Sequence, residues 1–259
     1  QVDVLSNIDL QVERGRTVAV VGESGSGKST LARVITGLLP PVSGSIQFKG
    51  SKLPDKLNDR EKEHLRTVQM IYQMPDVALN PRQKITDIIG RPLEFYLGLQ
   101  GEEKVKRIQE LLEQIELPIS FMERFPAQLS GGEKQRICIA RALAAVPDLI
   151  ICDEVTSALD QLVAEGILEL LQNLQNTLHV SYLFITHDLA TVKAIADNIV
   201  VMYQGRIIEQ GTKSEILAPP HAPYTELLLS SVPEMDPDWL DGLMVRRRNG
   251  EIPTSNSIA

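Results

Sequence analysis

Residues 22–30 read GESGSGKST and follow the apolar run VAVV at residues 18–21. They match the pattern G-x-x-x-x-G-K-[ST], in which a glycine-rich loop leads from a strand into a helix. The backbone N–H groups of such a loop, together with the positive end of the helix dipole, bind phosphate. The alternative is a flexible glycine–serine turn with an exposed lysine. Because an apolar run precedes the loop and apolar residues at helical spacing follow it, the sequence predicts a nucleotide-binding P-loop.

Each part of this loop has a predicted role. The amides of residues 24–30 are expected to converge on the phosphates, and Lys28 is expected to reach the β- and γ-phosphates. The hydroxyl of Ser29 is a predicted Mg²⁺ ligand. The nucleotide contacts are assigned to the complete motif, which comprises Gly22, Glu23, Ser24, Gly25, Ser26, Gly27, Lys28, Ser29 and Thr30. The loop by itself is equally typical of kinases and GTPases.

The composition narrows the class of protein. With 259 residues, 43% of them hydrophobic, the chain can bury a core, and we expect one globular unit with subdomains. A net charge of −8 argues against general nucleic-acid binding, which needs clustered Lys and Arg. Cys138 and Cys152 lie in apolar surroundings and indicate reduced cytosolic thiols. No apolar run reaches the roughly 18 to 20 residues of a membrane helix, so the chain is not expected to cross a bilayer alone.

Apolar runs and spacings outline a parallel sheet. Strands are predicted at residues 149–152, 182–185 and 199–202, with a helical pattern between each consecutive pair. This alternation is typical of parallel strands joined by crossover helices. A mainly helical stretch is expected from about residue 74 to residue 146.

Two further elements are predicted just after the P-loop. The first is a helix that Gly37 and Pro40 help to end. Its apolar positions are Leu31, Val34, Ile35, Leu38 and Leu39. The second is a hairpin, with turn residues around Ser43 and Gly44 and a strand from Ile46.

Polar residues follow two of the predicted strands. Asp153 and Glu154 come directly after LIIC, and His187 follows YLFIT. Ligands of parallel α/β sheets bind at the carboxyl edge, where these side chains are expected. Asp153 is predicted to hold Mg²⁺, Glu154 to orient or deprotonate the attacking water, and His187 to contact the γ-phosphate. The structural alternative is that such residues cap helices, and Asp188 is a predicted cap for a helix that begins near Leu189.

Gln73 lies in IYQMPDVALNPRQ, after the strand-like VQMIY. A glutamine in a loop is usually only solvated. At the junction between the core and the helical stretch, it is predicted to touch magnesium or its water and to report the nucleotide state. The predicted metal ligands are therefore Ser29, Gln73 and Asp153, and the predicted catalytic residues are Glu154 and His187.

A second anion site is predicted at residues 129–136, which read LSGGEKQR and open a helix. Ser130 and Glu133 have the spacing of a capping box, which is a purely structural explanation. That explanation does not account for Gly131 and Gly132, which permit close approach of a ligand to exposed N–H groups. Two modules arranged head to tail, each closing this segment over the nucleotide of the other, would account for the second site.

These motifs, in this order, resemble those of the nucleotide-binding subunits of ABC transporters. In that family they are Walker A (22–30), the Q-loop (Gln73), the signature (129–136), Walker B (149–153, then Glu154), the D-loop SALD (157–160, ending in Asp160) and the switch histidine (His187). The resemblance covers residues 2–232. It adds Gln73, Ser130, Gly131, Gly132 and Asp160 to the expected nucleotide contacts.

The resemblance implies an α/β fold with a P-loop NTPase (RecA-like) core and a parallel sheet, an N-terminal antiparallel β subdomain and an inserted helical subdomain. The implied domains are an ATPase domain at 1–232, made of the β subdomain and core (1–73 and 147–232) and the helical subdomain with the signature (74–146), followed by a tail at 233–259. Tyr224, Leu227 and Leu228 are expected to pack as a short helix after Pro223. The basic run at residues 246–248 is interpreted as solvated.

The implied function is that of an ABC transporter subunit which hydrolyses ATP, with Mg²⁺, in a head-to-tail dimer. The stretches ALNPR (78–82) and HAPYTELLLSSVP (221–233) resemble the oligopeptide/dipeptide importer branch, whose relatives also move nickel, glutathione and opines. The implied partners are a second ATPase module (identical, different or fused), transmembrane permease subunits and, indirectly, a periplasmic or extracellular solute-binding protein; nucleic acid is not expected. The implied location is peripheral, on the cytoplasmic face of the inner membrane. The transported substrate is not encoded in these motifs.

Three departures from the family pattern affect these expectations. The aromatic residue that stacks on adenine would fall upstream of Gln1. Because this branch includes tandem fusions, the chain is hypothesised to be one half of a larger polypeptide. Val155 stands where proline or alanine is common, a change expected to be tolerated. No cysteine follows Cys152, so no iron–sulfur cluster is predicted.

Two other functions fit parts of the pattern. The first is a non-transport ABC ATPase that acts on nucleic acid or ribosomes; the DNA-repair members carry a long coiled coil between P-loop and signature, whereas about a hundred residues separate Lys28 from Ser130 here. The acidic composition also disfavours that function. The second is an inert ATP-sensing scaffold, which the presence of Glu154 and His187 disfavours.

Overall fold

The computed structural model describes residues 4–230, and eight strands form two sheets in this part of the chain. The strands are β1 (Thr17–Val21), β2 (Gln47–Phe48), β3 (Ser51–Lys52), β4 (Val68–Ile71), β5 (Leu149–Asp153), β6 (Ser181–Thr186), β7 (Asn198–Tyr203) and β8 (Arg206–Thr212). The larger sheet has the order β4-β5-β6-β1-β7-β8; β8 is antiparallel to β7, and the other neighbours are parallel. The predicted parallel sheet is confirmed.

Helices connect and cover these strands. They are α1 (Lys28–Ile35), α2 (Lys62–Thr67), α3 (Pro75–Ala78), α4 (Ile85–Pro92), α5 (Gly101–Gln114), α6 (Gly131–Leu143), α7 (Gln161–Leu178), α8 (Leu189–Ile195), α9 (Lys213–Ile216) and α10 (Pro223–Ser230). Short 3₁₀ or π turns occupy Leu57–Asp59, Leu93–Leu97, Ile119–Glu123 and Pro126–Gln128. α7 joins β5 to β6, and α8 joins β6 to β7, so the predicted alternation of strands and helices is confirmed. The helices α3 to α6 lie in the stretch expected to be helical.

The central strands of the sheet are buried on both faces, which explains their uninterrupted apolar sequences, whereas the edge strand β8 is largely exposed. All residues of β1 and β6 are buried. On one face, Ile150 and Phe184 share a core with α4, α5, α6 and α7. On the other, Ile151 packs with Leu31 of α1. The helices between residues 74 and 146 therefore share a core with the sheet rather than standing apart from it.

The structure corrects two local predictions. α1 ends at Ile35 and Gly37 has φ 78°, so Leu38 and Leu39 lie beyond the helix and are 45% and 41% exposed. The hairpin pairs β2 with β3, and its turn lies at Lys49 and Gly50 instead of residues 43–44. Both turn residues have positive φ, 50° and 78°. This is the backbone twist that two-residue hairpins require.

The expected N-terminal antiparallel subdomain contains one short hairpin within the described residues. The hairpin of β2 and β3 is its regular part, with two residues in each strand. Residues 5–12 form no strand; Leu5, Ile8, Leu10 and Val12 pack against the core through partly buried side chains. Because this segment packs against the core without pairing with a strand, it has no regular secondary structure.

The end of the chain is described only in part. α10 confirms the short helix predicted after Pro223. The tail expected at 233–259, with its basic run at 246–248, lies outside the described residues. Within residues 4–230, no helix has both the length and the apolarity to cross a membrane.

Candidate functional site

The P-loop lies between β1 and α1, where the sequence predicted it. Gly27 precedes α1 with φ 102°, a left-handed conformation that favours glycine. Gly22 lies at the end of β1 against β7, and a Cβ atom there would be 2.1 Å from the carbonyl oxygen of Met202. The glycines therefore permit both the curvature of the loop and its close packing against the sheet.

We expect Gly22→Ala to destabilise the fold by about 3 kcal/mol or more, because overpacking and backbone strain each cost about 1–3 kcal/mol. The clash involves a backbone oxygen, which cannot rotate away. Gly25→Ala is the matched control: Gly25 has φ 84°, but a Cβ there would meet nothing within 4 Å. The control is expected to lose about 1–2 kcal/mol. Urea unfolding of both variants measures the difference, and equal losses would contradict the packing argument.

Lys28 is folded back into the loop. Its Nζ donates to the carbonyl oxygens of Gly22 (2.7 Å) and Glu23 (2.8 Å), and the residue is 5% exposed. Burial lowers the pKa of the ammonium group, while Glu154, Asp153 and Glu23 act in the opposite direction. Nζ also donates to Ser26 Oγ at 3.4 Å. A buried cation held by neutral acceptors of its own loop at the start of a helix is suited to receive phosphate oxygens.

Ser29 and Asp153 meet beside Lys28, as predicted for two metal ligands. Ser29 Oγ donates to Asp153 Oδ1 at 3.1 Å. Asp153 is 9% exposed, and burial raises its pKa. Mg²⁺ in nucleotide sites typically takes one or two protein oxygens and completes its shell with phosphate and water. A hydroxyl and a carboxylate at this distance, at the start of α1, fit that arrangement.

Glu154 is held between the other two predicted residues. Gln73 Nε2 donates to Glu154 Oε2 at 2.8 Å, and His187 Nδ1 lies 3.2 Å from Glu154 Oε1. Glu154 has φ 50°, a strained value for this residue type. Gln73 also donates to Ser157 Oγ at 3.3 Å, so both of its hydrogen bonds go to residues that directly follow β5. This contact with Ser157, the first residue of SALD, was missed by the sequence analysis.

His187 and Asp188 have separate roles. The His187 side chain is 57% exposed and faces Glu154. Asp188 caps α8, because its carboxylate accepts hydrogen bonds from the N–H groups of Ala190 and Thr191. The predicted cap is confirmed.

The signature residues belong to a second group, built on α6 and α7. Ser130 Oγ accepts from the N–H of Glu133, and Glu133 Oε2 accepts from the N–H of Ser130, which confirms the capping box. Asp160 caps α7 by accepting from the N–H of Val163 at 3.1 Å. Within residues 4–230, no hydrogen bond joins Ser130 or Asp160 to the P-loop.

The paired glycines of the signature have a structural role that the sequence did not reveal. A Cβ atom at Gly132 would lie 2.5 Å from Val163 Cγ1, and one at Gly131 would lie 3.6 Å from Leu159 Cδ2. Gly132 therefore lets α6 pack closely against the start of α7, whereas the distance at Gly131 is an ordinary van der Waals contact. Gly131 is exposed, so ligand access remains at the same point.

The sequence matches two models of known protein families. The family model described as "ABC transporter" matches residues 5–157. The chain belongs to the ABC transporter family. A second model, "Oligopeptide/dipeptide transporter, C-terminal region", matches residues 208–257 of this ABC ATPase.

Named relatives resemble the ABC ATPase over most of its length. The dipeptide transport ATP-binding protein DppF of Haemophilus influenzae is 43% identical over 92% of this chain and 73% of its own. The di/tripeptide transport ATP-binding protein DppF of Pseudomonas aeruginosa is 41% identical over 98% and 78%. The oligopeptide transport ATP-binding protein OppF of Lactococcus lactis is 43% identical over 90% and 73%.

Solved structures confirm the expected P-loop NTPase fold of this ABC ATPase. CbiO1 of Clostridium perfringens, described as part of the transporter complex cbiONQ, has a TM-score of 0.75 and 27% identity over 93% of this chain and 92% of its own. The ATP-binding cassette MJ0796, described as a dimer in a post-hydrolysis state with ADP and Pi, has a TM-score of 0.70 and 31% identity over 81% and 90%. As a member of this family, the chain binds and hydrolyses ATP.

Proposed function

We propose that this ABC ATPase powers the import of peptides or related small solutes, such as nickel, glutathione or opines, through membrane permease subunits. It would act as a peripheral protein on the cytoplasmic face of the inner membrane, with a solute-binding protein delivering the cargo. The observation that carries the proposal is the combined match of residues 5–157 and 208–257 to the ATPase family and to the oligopeptide/dipeptide C-terminal region.

Within one chain, the P-loop and the sheet edge supply the binding and hydrolysis groups. The P-loop amides and Lys28 bind the triphosphate, and Ser29 and Asp153 hold Mg²⁺, with Gln73 as a further ligand once it leaves Glu154. The ion supplies neutralising charge at the phosphate oxygens. Glu154 orients or deprotonates the attacking water, and His187 contacts the γ-phosphate. The hydrogen bonds that hold Glu154 between Gln73 and His187 support these roles, because they fix the carboxylate near the P-loop.

A second ATPase module completes the proposed site. Ser130, Gly131 and Gly132 bind the nucleotide of the opposite module at the start of α6, and Asp160 contributes from the start of α7. Two observations support this arrangement: Ser130 and Gly131 are exposed, and α6 begins at Gly131, where the first-turn N–H groups have no intrahelical acceptor. The second module is a copy of this chain, a sibling or a fused domain.

A groove next to Gln73 is the proposed docking surface for the permease. It has a volume of about 680 Å³ and lies between the sheet edge and α4; its lining includes Arg60, His64, Tyr72, Arg91 and Phe95. Arg60 is 6% exposed, and its Nη2, like Nδ1 of His64, is buried without a hydrogen-bond partner among the described residues. Burial lowers the pKa of Arg60. A cytoplasmic helix of the permease that carries a carboxylate among apolar residues would satisfy these groups.

The proposed domain division follows the same reasoning. The nucleotide-binding residues come from 1–73 and 147–232, and the signature and the wall of the groove formed by α4 come from 74–146. The segment at 233–259 is proposed as an appended tail.

Reconstitution tests this function. The ABC ATPase, its second module and the permease subunits are placed in liposomes with Mg-ATP on the ATPase side, and a radiolabelled dipeptide is supplied with the solute-binding protein. We expect uptake that requires ATP and hydrolysis that the permease stimulates. Hydrolysis stimulated by DNA or ribosomes but indifferent to the permease would reject import in favour of a nucleic-acid function.

A further inference from the structure

The helix α10 is fixed against the sheet beside the P-loop. The N–H of Ala222, just before the helix, donates to Glu209 Oε2 at 3.2 Å. Tyr224 of α10 is 2% exposed and lies in a core cluster with Val21, the last residue of β1. Its ring packs on Tyr203 of β7 with the centroids 4.4 Å apart. The position of the Tyr224 hydroxyl is therefore set by packing against the sheet.

That hydroxyl contacts the P-loop directly. Tyr224 Oη accepts a hydrogen bond from the backbone N–H of Glu23 at 2.9 Å. Burial raises the pKa of the phenol, so the hydroxyl stays neutral at physiological pH. The bond links residues 201 positions apart in the sequence, and it takes a loop amide that precedes residues 24–30, the segment predicted to bind the phosphates. The hydrogen bond fixes the start of the P-loop and leaves the amides of residues 24–30 available to bind phosphates.

The same helix forms a wall of the space in front of the predicted catalytic residues. Leu227 and Leu228 line a cavity of about 430 Å³ together with Gly22, Glu23, Glu154 and His187. α10 therefore adjoins both the phosphate loop and the carboxylate assigned to water activation.

We propose that Tyr224 is a positioning residue for nucleotide binding: its hydroxyl holds Glu23 so that the P-loop is already shaped for the triphosphate. A loop that is held in its bound shape loses less conformational entropy when the ligand arrives. The inference rests on the proposed function in one respect, since it requires that the P-loop receive the triphosphate. It gives the segment HAPYTELLL a role in the ATPase site itself.

The test removes one oxygen atom. Tyr224→Phe keeps the ring and its packing on Tyr203 but deletes the acceptor for the Glu23 N–H. We expect the Kd for ATP to rise about three- to tenfold, the range of one hydrogen bond. In the reconstituted complex, KM for ATP is expected to rise similarly, with kcat at saturating ATP changed less than about twofold. Amide hydrogen exchange at Glu23, followed by NMR, is expected to become faster in the variant.

Tyr203→Phe is the matched control. It removes a phenol oxygen from the partner ring, where the hydroxyl is exposed and accepts from Gln204 Nε2 at 3.1 Å instead of from the Glu23 N–H. Its Kd for ATP and its Glu23 exchange are expected to match those of the unmodified chain.

The outcomes separate this inference from the proposed function. If the unmodified chain binds ATP and Tyr224→Phe binds it equally well, the inference is overturned and the proposed function stands. Equal weakening in both tyrosine variants would also overturn it, because general packing would then be responsible. If the unmodified chain binds no ATP in the full complex, the proposed function fails and the inference fails with it.

Discussion

Replacing Lys28 with alanine is expected to weaken ATP binding by roughly 100-fold or more, the largest single effect that the structure predicts on affinity. Hydrogen bonds to a charged group are worth about 1.5–3 kcal/mol each, and Lys28 is placed to make two of them to phosphate oxygens. The ammonium group is already desolvated, so little further hydration is lost when the nucleotide arrives. Isothermal titration calorimetry of the purified chain with Mg-ATP measures the change.

The fold of the Lys28→Ala variant is expected to survive, so the loss can be assigned to binding. The ammonium group contacts two carbonyl oxygens of its own loop, and burial opposes its charged state. Lys84→Ala is the matched control: Lys84 pairs with Glu123 on the surface, at 2.6 Å. The control is expected to bind ATP normally. An unchanged Kd in Lys28→Ala would remove Lys28 from the phosphate site.

The grouping of residues at the carboxyl edge of the sheet was predictable because it depends on strand direction. Once β5 and β6 are parallel neighbours, the residues that follow them must lie at the same edge. Asp153, Glu154 and His187 are close together for this reason. The P-loop was predictable for a related reason, since its pattern and its flanking strand and helix are all local in sequence.

The contacts that the sequence did not predict join distant segments. Gln73 contacts Glu154 across 81 positions of sequence, and Tyr224 contacts Glu23 across 201. Neither contact has a local pattern: the first depends on β4 lying beside β5 with Ile71 opposite Cys152, and the second depends on how α10 packs against the sheet. The close approach of Gly132 to Val163 is of the same kind: a capping box specifies where α6 begins but not which helix lies beside it.

The misplaced hairpin turn has a different cause. Residues 43–50 contain two glycines at which a turn can form, Gly44 and Gly50, and both have positive φ. The ladder is closed by pairing Phe48 with Ser51, which leaves Lys49 and Gly50 in the turn. Short strands carry few side chains to fix a register, so the choice between the two turns was not determined by the local sequence.

Replacing Glu154 with glutamine is expected to suppress ATP hydrolysis while ATP binding is kept. The amide can still accept from Gln73 Nε2 and face His187, so the geometry around residue 154 is retained. What is lost is the negative charge that takes a proton from the attacking water. General base catalysis typically contributes a factor of about 10² to 10⁴, and kcat should fall by at least about 10². Phosphate release by the reconstituted complex, measured beside the Kd for ATP, gives both quantities.

The control for this variant is Glu165→Gln, on α7. Glu165 is exposed and accepts a hydrogen bond from Gln161 Nε2 at 3.2 Å, away from Glu154. It loses the same charge by the same isosteric change, so its kcat is expected to match that of the unmodified chain. If Glu154→Gln hydrolyses ATP at the unmodified rate, then Glu154 does not activate water. If it loses hydrolysis and binding together, the negative charge of Glu154 is needed for nucleotide binding itself, because the isosteric amide keeps the contacts with Gln73 and His187.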